Sequence, residues 1–127
     1  MRTVMTSVVV LAVAACSPSK DEFIEKFEPA MLQFFCAPKG FTVSCYDVTE
    51  AQCLAVMKPA LKSCVDQYKG QMPERFDKES GARIGELIGT CAGTVFQNDL
   101  LSTHKRTDES AKCDDPSNQT HWPVPTP

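Results

Sequence analysis

The sequence is poor in the residues on which most enzyme sites depend. It has two histidines, His104 and His121, and no HExxH, GxSxG, CxxC or glycine-rich phosphate-binding motif. Histidine is the side chain whose ordinary pKa lies closest to neutral pH, so few candidates exist for a general base. We therefore expect no enzymatic activity, no catalytic residue, no cofactor and no small-molecule substrate.

Basic patches and long apolar runs are also missing. The 127 residues include 13 Lys and Arg against 16 Asp and Glu, a formal net charge of −3. Nucleic-acid binding depends on clustered basic residues, so we exclude nucleic acid as a partner. The longest apolar stretch, residues 4–15, has about twelve residues, whereas a transmembrane helix needs roughly 20.

That short apolar stretch is typical of a secretory signal peptide. Arg2 is the only charged side chain before it, and the small residues Ala14 and Ala15 end it. The segment Val13-Ala14-Ala15-Cys16 is similar to the lipobox of bacterial lipoproteins, a resemblance that covers the signal peptide alone. It implies a diacylglycerol thioether on Cys16 and cleavage before Cys16, and Ser17 then favours the outer membrane. The alternative is an ordinary signal peptide cut after Ala15.

We divide the chain into four segments. They are a lipoprotein signal peptide (1–15), a lipidated cysteine with a short tether (16–20), a helical disulfide-bonded domain (21–113) and a flexible proline-rich tail (114–127). The length suits one small domain. The tether residues 17–20 reach at most ~14 Å, so the domain should lie close to the bilayer.

Seven cysteines are present, and setting Cys16 aside leaves an even number for pairing. In an oxidising compartment the six predict three disulfides among Cys36, Cys45, Cys53, Cys64, Cys91 and Cys113. A zinc site is the rival interpretation, disfavoured by the absence of CxxC and by the histidine spacing, so we expect no metal. Six cysteines allow 15 connectivities. If the helices around them are antiparallel, Cys53–Cys91 is the favoured pair.

Apolar spacing predicts three main helices. The first begins at Ser19, which has capping-box spacing to Glu22, and Pro29 should kink or split it. The second is capped by Thr49 with Gln52, bends at Pro59 and ends at Gly70. The third spans residues 79–101 and, with apolar or small residues around most of its circumference, should be the central helix.

The aromatic face of the first helix could lie on a membrane or in the core. Its polar side is acidic, whereas interfacial helices are usually basic there, so we assign the face to the core. Residues 36–48 predict a loop with a short extended piece at Phe41-Thr42-Val43. From Ser102 onward the chain is polar. Cys113 should tie that segment to the domain, and Trp122 either docks in a groove or projects freely.

A stripe of glycines, four residues apart, runs along the third helix: Gly81, Gly85, Gly89 and Gly93. Each interior glycine costs ~0.5–1 kcal/mol of helix stability relative to alanine, so the stripe needs an offsetting gain. Close approach of a neighbouring helix is one such gain, and a face that admits a partner's backbone is another. A membrane glycine zipper is disfavoured by Arg83, Glu86 and Asn98.

Together these features predict an all-α domain of three proline-kinked helices stapled by about three disulfides. We expect a lipid-anchored protein of the outer membrane that faces the periplasm and binds a protein partner. An immunity or inhibitor protein against a periplasmic enzyme or toxin is the most concrete version. The segment GTCAG is faintly similar to small helical immunity proteins, without a family match. The alternative is an assembly accessory of a secretion system or pilus.

Overall fold

The computed structural model describes residues 17–116 and 121–122, and within them it confirms an all-α fold with no strand. Cys16 and the signal peptide lie outside the described residues. Two isolated β-bridges join loop segments. The α-helices are α1 (Lys20–Cys36), α2 (Phe41–Cys45), α3 (Glu50–Tyr68) and α4 (Lys78–Val95). A 3₁₀ turn at Lys69–Gln71 follows α3. A π-helix (Phe96–Leu101) follows α4, and a second 3₁₀ turn lies at Ala111–Asp114.

Side-chain caps set the start of each long helix. The Ser19 hydroxyl accepts from the Glu22 amide at 3.3 Å, and Thr49 with Gln52 forms a complete capping box. A second capping box, not predicted from the sequence, joins Asp77 to Ser80 at 2.7 and 2.9 Å and starts α4 at Lys78. Hydrogen bonds from the backbone and then the side chain of Ser80 lower the pKa of Asp77.

Both internal prolines lie within helices that continue through them. Pro29 is inside α1 and Pro59 is inside α3, so the predicted split of the first helix does not occur. Each proline removes one backbone hydrogen bond, and the core packing of the surrounding turns holds the helix together.

The predicted extended piece at Phe41-Thr42-Val43 is wrong, because these residues form α2. Phe41, Thr42 and Cys45 are buried on one side of this short helix. The Thr42 hydroxyl donates to the Phe35 carbonyl at 2.5 Å. These tertiary contacts override the β-propensity of the segment, which is a weak preference.

α3, rather than α4, is the helix whose backbone packs closely against two others. It contacts both α1 and α4, and Cys53, Met57, Leu61 and Cys64 on it are buried. α4 contributes Ile84, Ile88 and Ala92 to the same core, and the π-helix that follows adds Phe96, Leu100 and Leu101. The core therefore lies around α3.

Three disulfides close the fold, as expected, but the favoured pair Cys53–Cys91 is wrong. The bonds are Cys36–Cys53, Cys64–Cys91 and Cys45–Cys113, with Cα–Cα distances of 5.6, 5.9 and 5.7 Å. The first joins the end of α1 to the start of α3. The second joins α4 to α3 at Cys64 instead of at Cys53, where the prediction had placed it.

The connection between α3 and α4 fixes the place where α4 begins. It returns to the beginning of α1, where the Phe76 amide donates to the Pro18 carbonyl at 2.9 Å and the Lys20 amide donates to the Glu74 carbonyl at 3.1 Å. α4 consequently begins beside the first turn of α1. α4 packs against α3 along its length, but Cys91 meets Cys64 there and not Cys53.

The glycine stripe faces side chains of α1. A Cβ added at Gly81, Gly85 or Gly89 would lie 3.6–4.0 Å from the ends of Phe23, Phe27 and Met31, which is ordinary van der Waals contact. A Cβ at Gly93 would meet nothing within 4 Å. The order of these contacts shows that α1 and α4 run in the same direction.

Gly93 gives a direct test of this packing. We expect Gly93→Ala to raise the free energy of unfolding by about 0.5–1 kcal/mol, because alanine favours the helix and its methyl group has room. Urea denaturation of the oxidised protein measures the change, with exposed Ala82→Gly as the reverse control. A loss of stability in Gly93→Ala would contradict the open space beside this residue.

The disulfides give a second test. Replacing Cys45 and Cys113 by serine opens a loop of 68 residues, whereas replacing Cys36 and Cys53 opens one of 17. The loop-entropy model predicts losses of about 4 and about 3 kcal/mol. Urea denaturation of both double variants measures the order, and peptide mapping without reduction checks the pairing. A smaller loss for the longer loop would mean that loop entropy does not dominate here.

Candidate binding site

An apolar cleft of about 390 Å³ opens at the carboxyl end of α1. Its volume falls within the range usual for ligand and side-chain pockets. The turn after α1 forms one side of the cleft, and Pro116 and Trp122 form the other. The residues that shape the cleft are Phe34, Pro38, Lys39, Phe41, Pro116 and Trp122.

The floor of the cleft is continuous with the core. Phe34 meets the buried Phe35 edge-on, with ring centroids 5.2 Å apart, and Phe35 in turn packs against Phe96 at 4.8 Å. Phe41 is buried and has Tyr46 on one side at 5.8 Å. Because these rings are fixed by the interior, the floor is pre-formed and requires little ordering when a ligand binds.

Trp122 forms the outer wall of the cleft, so it docks in a groove and does not project freely. Its ring lies edge-on to Phe41 with centroids 5.8 Å apart, and its Nε1 donates to the Lys112 carbonyl at 2.8 Å. The Lys112 ammonium lies 5.9 Å from the ring centroid. Cys113, bonded to Cys45, holds this part of the chain against α2.

The segment behind Trp122 is more ordered than its polar sequence indicates. The Arg106 guanidinium donates to the Asp108 carbonyl and to the Asp114 carboxylate, both at 2.8 Å, and the bond to Asp114 is the main reason that the pKa of Arg106 is raised. Hydrogen bonds from Ser110 lower the pKa of Asp108. Backbone bonds Asp47–Lys105 and Thr107–Cys45 join the segment to α2. In the sequence, only Cys113 indicated this order.

A second groove, of about 360 Å³, lies between α1 and α3 on the other side of Pro38. Leu32 and Leu54 give it apolar walls, and Glu50 lies at its edge. The two grooves share Gln33, Ala37 and Pro38. Lys39 lines the first groove and Glu50 the second, so the two neighbouring apolar grooves carry side chains of opposite charge.

No arrangement suited to metal binding occurs in residues 17–116 and 121–122, where no three His, Cys, Asp or Glu side chains converge. The six predicted cysteines are all in disulfides. His104 is not in a loose tail: its Nδ1 lies 2.8 Å from the Leu100 carbonyl, where it closes the π-helix. Of the four predicted glycines, Gly81, Gly85 and Gly89 lie at the α1–α4 contact and Gly93 faces open space, and none of them lines the cleft.

Within the same described part of the chain, none of the helices has the length and apolar character needed to cross a membrane. The fold and the cleft define a class: a small all-α domain, closed by three disulfides, with an apolar cleft at one end.

The protein family can be named more closely. A family model described as T2SS substrate NttA matches residues 17–104, more than half of the chain. The chain belongs to this family, which indicates a bacterial protein directed to the envelope or the exterior by type II secretion (T2SS). The match contains all the long helices and five of the six paired cysteines. Neither the curated proteins nor the solved structures gave a match.

Proposed function

We propose that this protein is exported as a lipoprotein precursor, is carried outward by a type II secretion system, and acts there by binding another protein. The family match across residues 17–104 is the observation that carries the proposal, because it covers almost the whole folded domain. We propose no catalytic step. The lipid on Cys16 would keep the secreted domain at a membrane surface.

The disulfides support the order of these events. Disulfides form in an oxidising compartment and not in the bacterial cytosol. The domain therefore acquires Cys36–Cys53, Cys45–Cys113 and Cys64–Cys91 only after the signal peptide has taken it across the inner membrane. A small domain with this many bridges also keeps its fold outside the cell, where no reducing system or chaperone acts on it.

The cleft supports the binding step. Phe34 and Trp122 offer aromatic surface backed by fixed core rings, and Lys39 stands at the rim with an exposed ammonium. Buried aromatic contacts at the centre of a polar rim are typical of binding hot spots. We infer a partner segment that inserts an apolar side chain beside Phe34 and places a carboxylate near Lys39.

The inhibitor or immunity role inferred from the sequence is one form of such binding, and the envelope-assembly role is another. An immunity protein protects the cell that makes it, whereas a secretion substrate is sent away from that cell. Family membership therefore favours a partner in the outer envelope or outside it. We therefore propose an inhibitor whose target lies in the outer envelope or outside the cell.

Export and anchoring can be tested together in cells with and without a working type II secretion system. We expect the wild-type protein to carry a diacylglyceryl mass on Cys16 and to reach the cell surface or medium only in the secretion-competent strain. Cys16→Ser should lose the lipid mass and leave the membrane fraction. Proteolysis of intact cells, fractionation and intact mass measure these outcomes.

Two results would count against this pathway. Equal external amounts in both strains would show that the protein is not a substrate of the system. A Cys16→Ser variant that stays membrane-bound, together with an unmutated protein that carries no acyl chain, would remove the anchor.

Binding through the cleft can be tested with a matched pair of phenylalanines on α1. Phe34 lines the cleft, and Phe27 packs on Gly85 near the middle of α1. Both side chains are half-buried. We expect Phe34→Ala to weaken binding of the partner captured by crosslinking at least about tenfold, a loss of ~1.4 kcal/mol. Phe27→Ala should bind like wild type. Equal losses, with both variants folded by circular dichroism, would place the binding surface elsewhere.

A further inference from the structure

The first residues after Cys16 are held against the domain by three hydrogen bonds, two of which form a β-bridge. The Arg75 guanidinium donates to the Ser17 carbonyl at 3.1 Å, and Ser19 forms an antiparallel bridge with Arg75. The Phe76 amide donates to the Pro18 carbonyl, and the Lys20 amide donates to the Glu74 carbonyl. The tether predicted for residues 17–20 is therefore part of the folded domain, not a free linker of ~14 Å reach.

The loop that holds these residues is itself fixed by the core. Phe76 is buried, and its ring stacks on Phe23 with centroids 4.0 Å apart and planes 7° from parallel. Asp77, the next residue, caps α4. Movement of the Ser17 attachment point would disturb both α1 and α4, so the point is rigid relative to the domain.

We propose that this attachment turns the end of the domain around Glu74 and Arg75 toward the bilayer and presents the cleft on the far side. The inference rests on the proposed lipid at Cys16, the residue that immediately precedes Ser17. α1 starts at the attached end, and its 17 residues span ~25 Å. Phe34 and the cleft lie at its other end, so a partner reaches them without approaching the lipid.

Charge opposes the alternative in which α1 lies flat on the membrane. Its exposed side carries Asp21, Glu22 and Glu25 against Lys26, and bacterial membranes present anionic lipids. Helices that lie in an interface are usually basic on the polar side. At the attached end, Lys20, Arg75 and Lys78 lie among Asp21, Glu22, Glu74, Asp77 and Glu79. That end is mildly acidic, so the attachment at Ser17, and not charge, keeps it near the surface.

The chain's single tryptophan, Trp122, makes the orientation measurable. The full lipidated protein is placed in vesicles of phosphatidylethanolamine and phosphatidylglycerol that contain lipids brominated in the acyl chains. In wild type, Trp122 reports from the cleft. In a Trp122→Phe, Glu74→Trp protein the reporter is at the attached end. We expect bromolipid quenching of the second to be at least about twofold stronger, because ~25 Å separates the two ends.

A linker variant tests the role of the attachment. An insertion of about ten residues, alternating Gly and Ser, between Cys16 and Ser17 adds a flexible linker with a root-mean-square length of about 17 Å. In the Glu74→Trp background this insertion should reduce quenching at least about twofold, since the domain can then move off the surface. Circular dichroism checks that each variant is folded.

The outcomes separate the two proposals. If acylated protein shows equal quenching at both positions, the domain lies flat and the orientation is wrong. If the insertion changes nothing, the near end adheres without the attachment, which also overturns it. An intact mass without acyl chains overturns the proposed anchor itself, and the orientation with it.

Discussion

The return of residues 74–76 to the beginning of α1 is the constraint on which the rest of the fold depends. Phe76 stacks on Phe23, and the backbone bonds of Pro18 and Lys20 close around it. This contact starts α4 beside the start of α1 and gives the two helices the same direction. α4 also packs against α3, where Cys91 bonds to Cys64. Gly81, Gly85 and Gly89 of α4 face side chains of α1 because the two helices run side by side.

The opposite end of the domain depends on the disulfide between Cys45 and Cys113. These cysteines are 68 residues apart, and their bond carries the polar segment after the π-helix back to α2. That segment brings Trp122 against Phe41 and gives the cleft its outer wall. A domain of this size has a small core, so covalent links contribute a large share of its stability.

The two ends correspond to the two halves of the proposed function. One end takes up the residues that follow Cys16, the proposed site of the lipid, and the other offers an aromatic cleft. Neither needs catalytic groups, in keeping with a sequence that has few histidines. A secreted binding protein gains from this separation, because anchoring and recognition do not compete for the same surface.

What the sequence by itself determined was local. Helix starts at Ser19 and Thr49 follow from hydrogen bonds that span three residues, and the long helices follow from apolar spacing. The number of disulfides follows from the count of cysteines in an exported chain. The missed cap at Asp77 was also readable, because a Ser lies three residues after it.

Only the tertiary structure decided which cysteines pair, that Phe41–Cys45 is helical, and that Trp122 docks. The cleft and the held tether belong to the same group, since Phe41 meets Trp122 and Ser17 meets Arg75 across long stretches of chain. Contacts of this kind depend on the paths of the loops between helices. Those paths are set by the sum of many packing terms, and no periodicity or cap in the sequence encodes them.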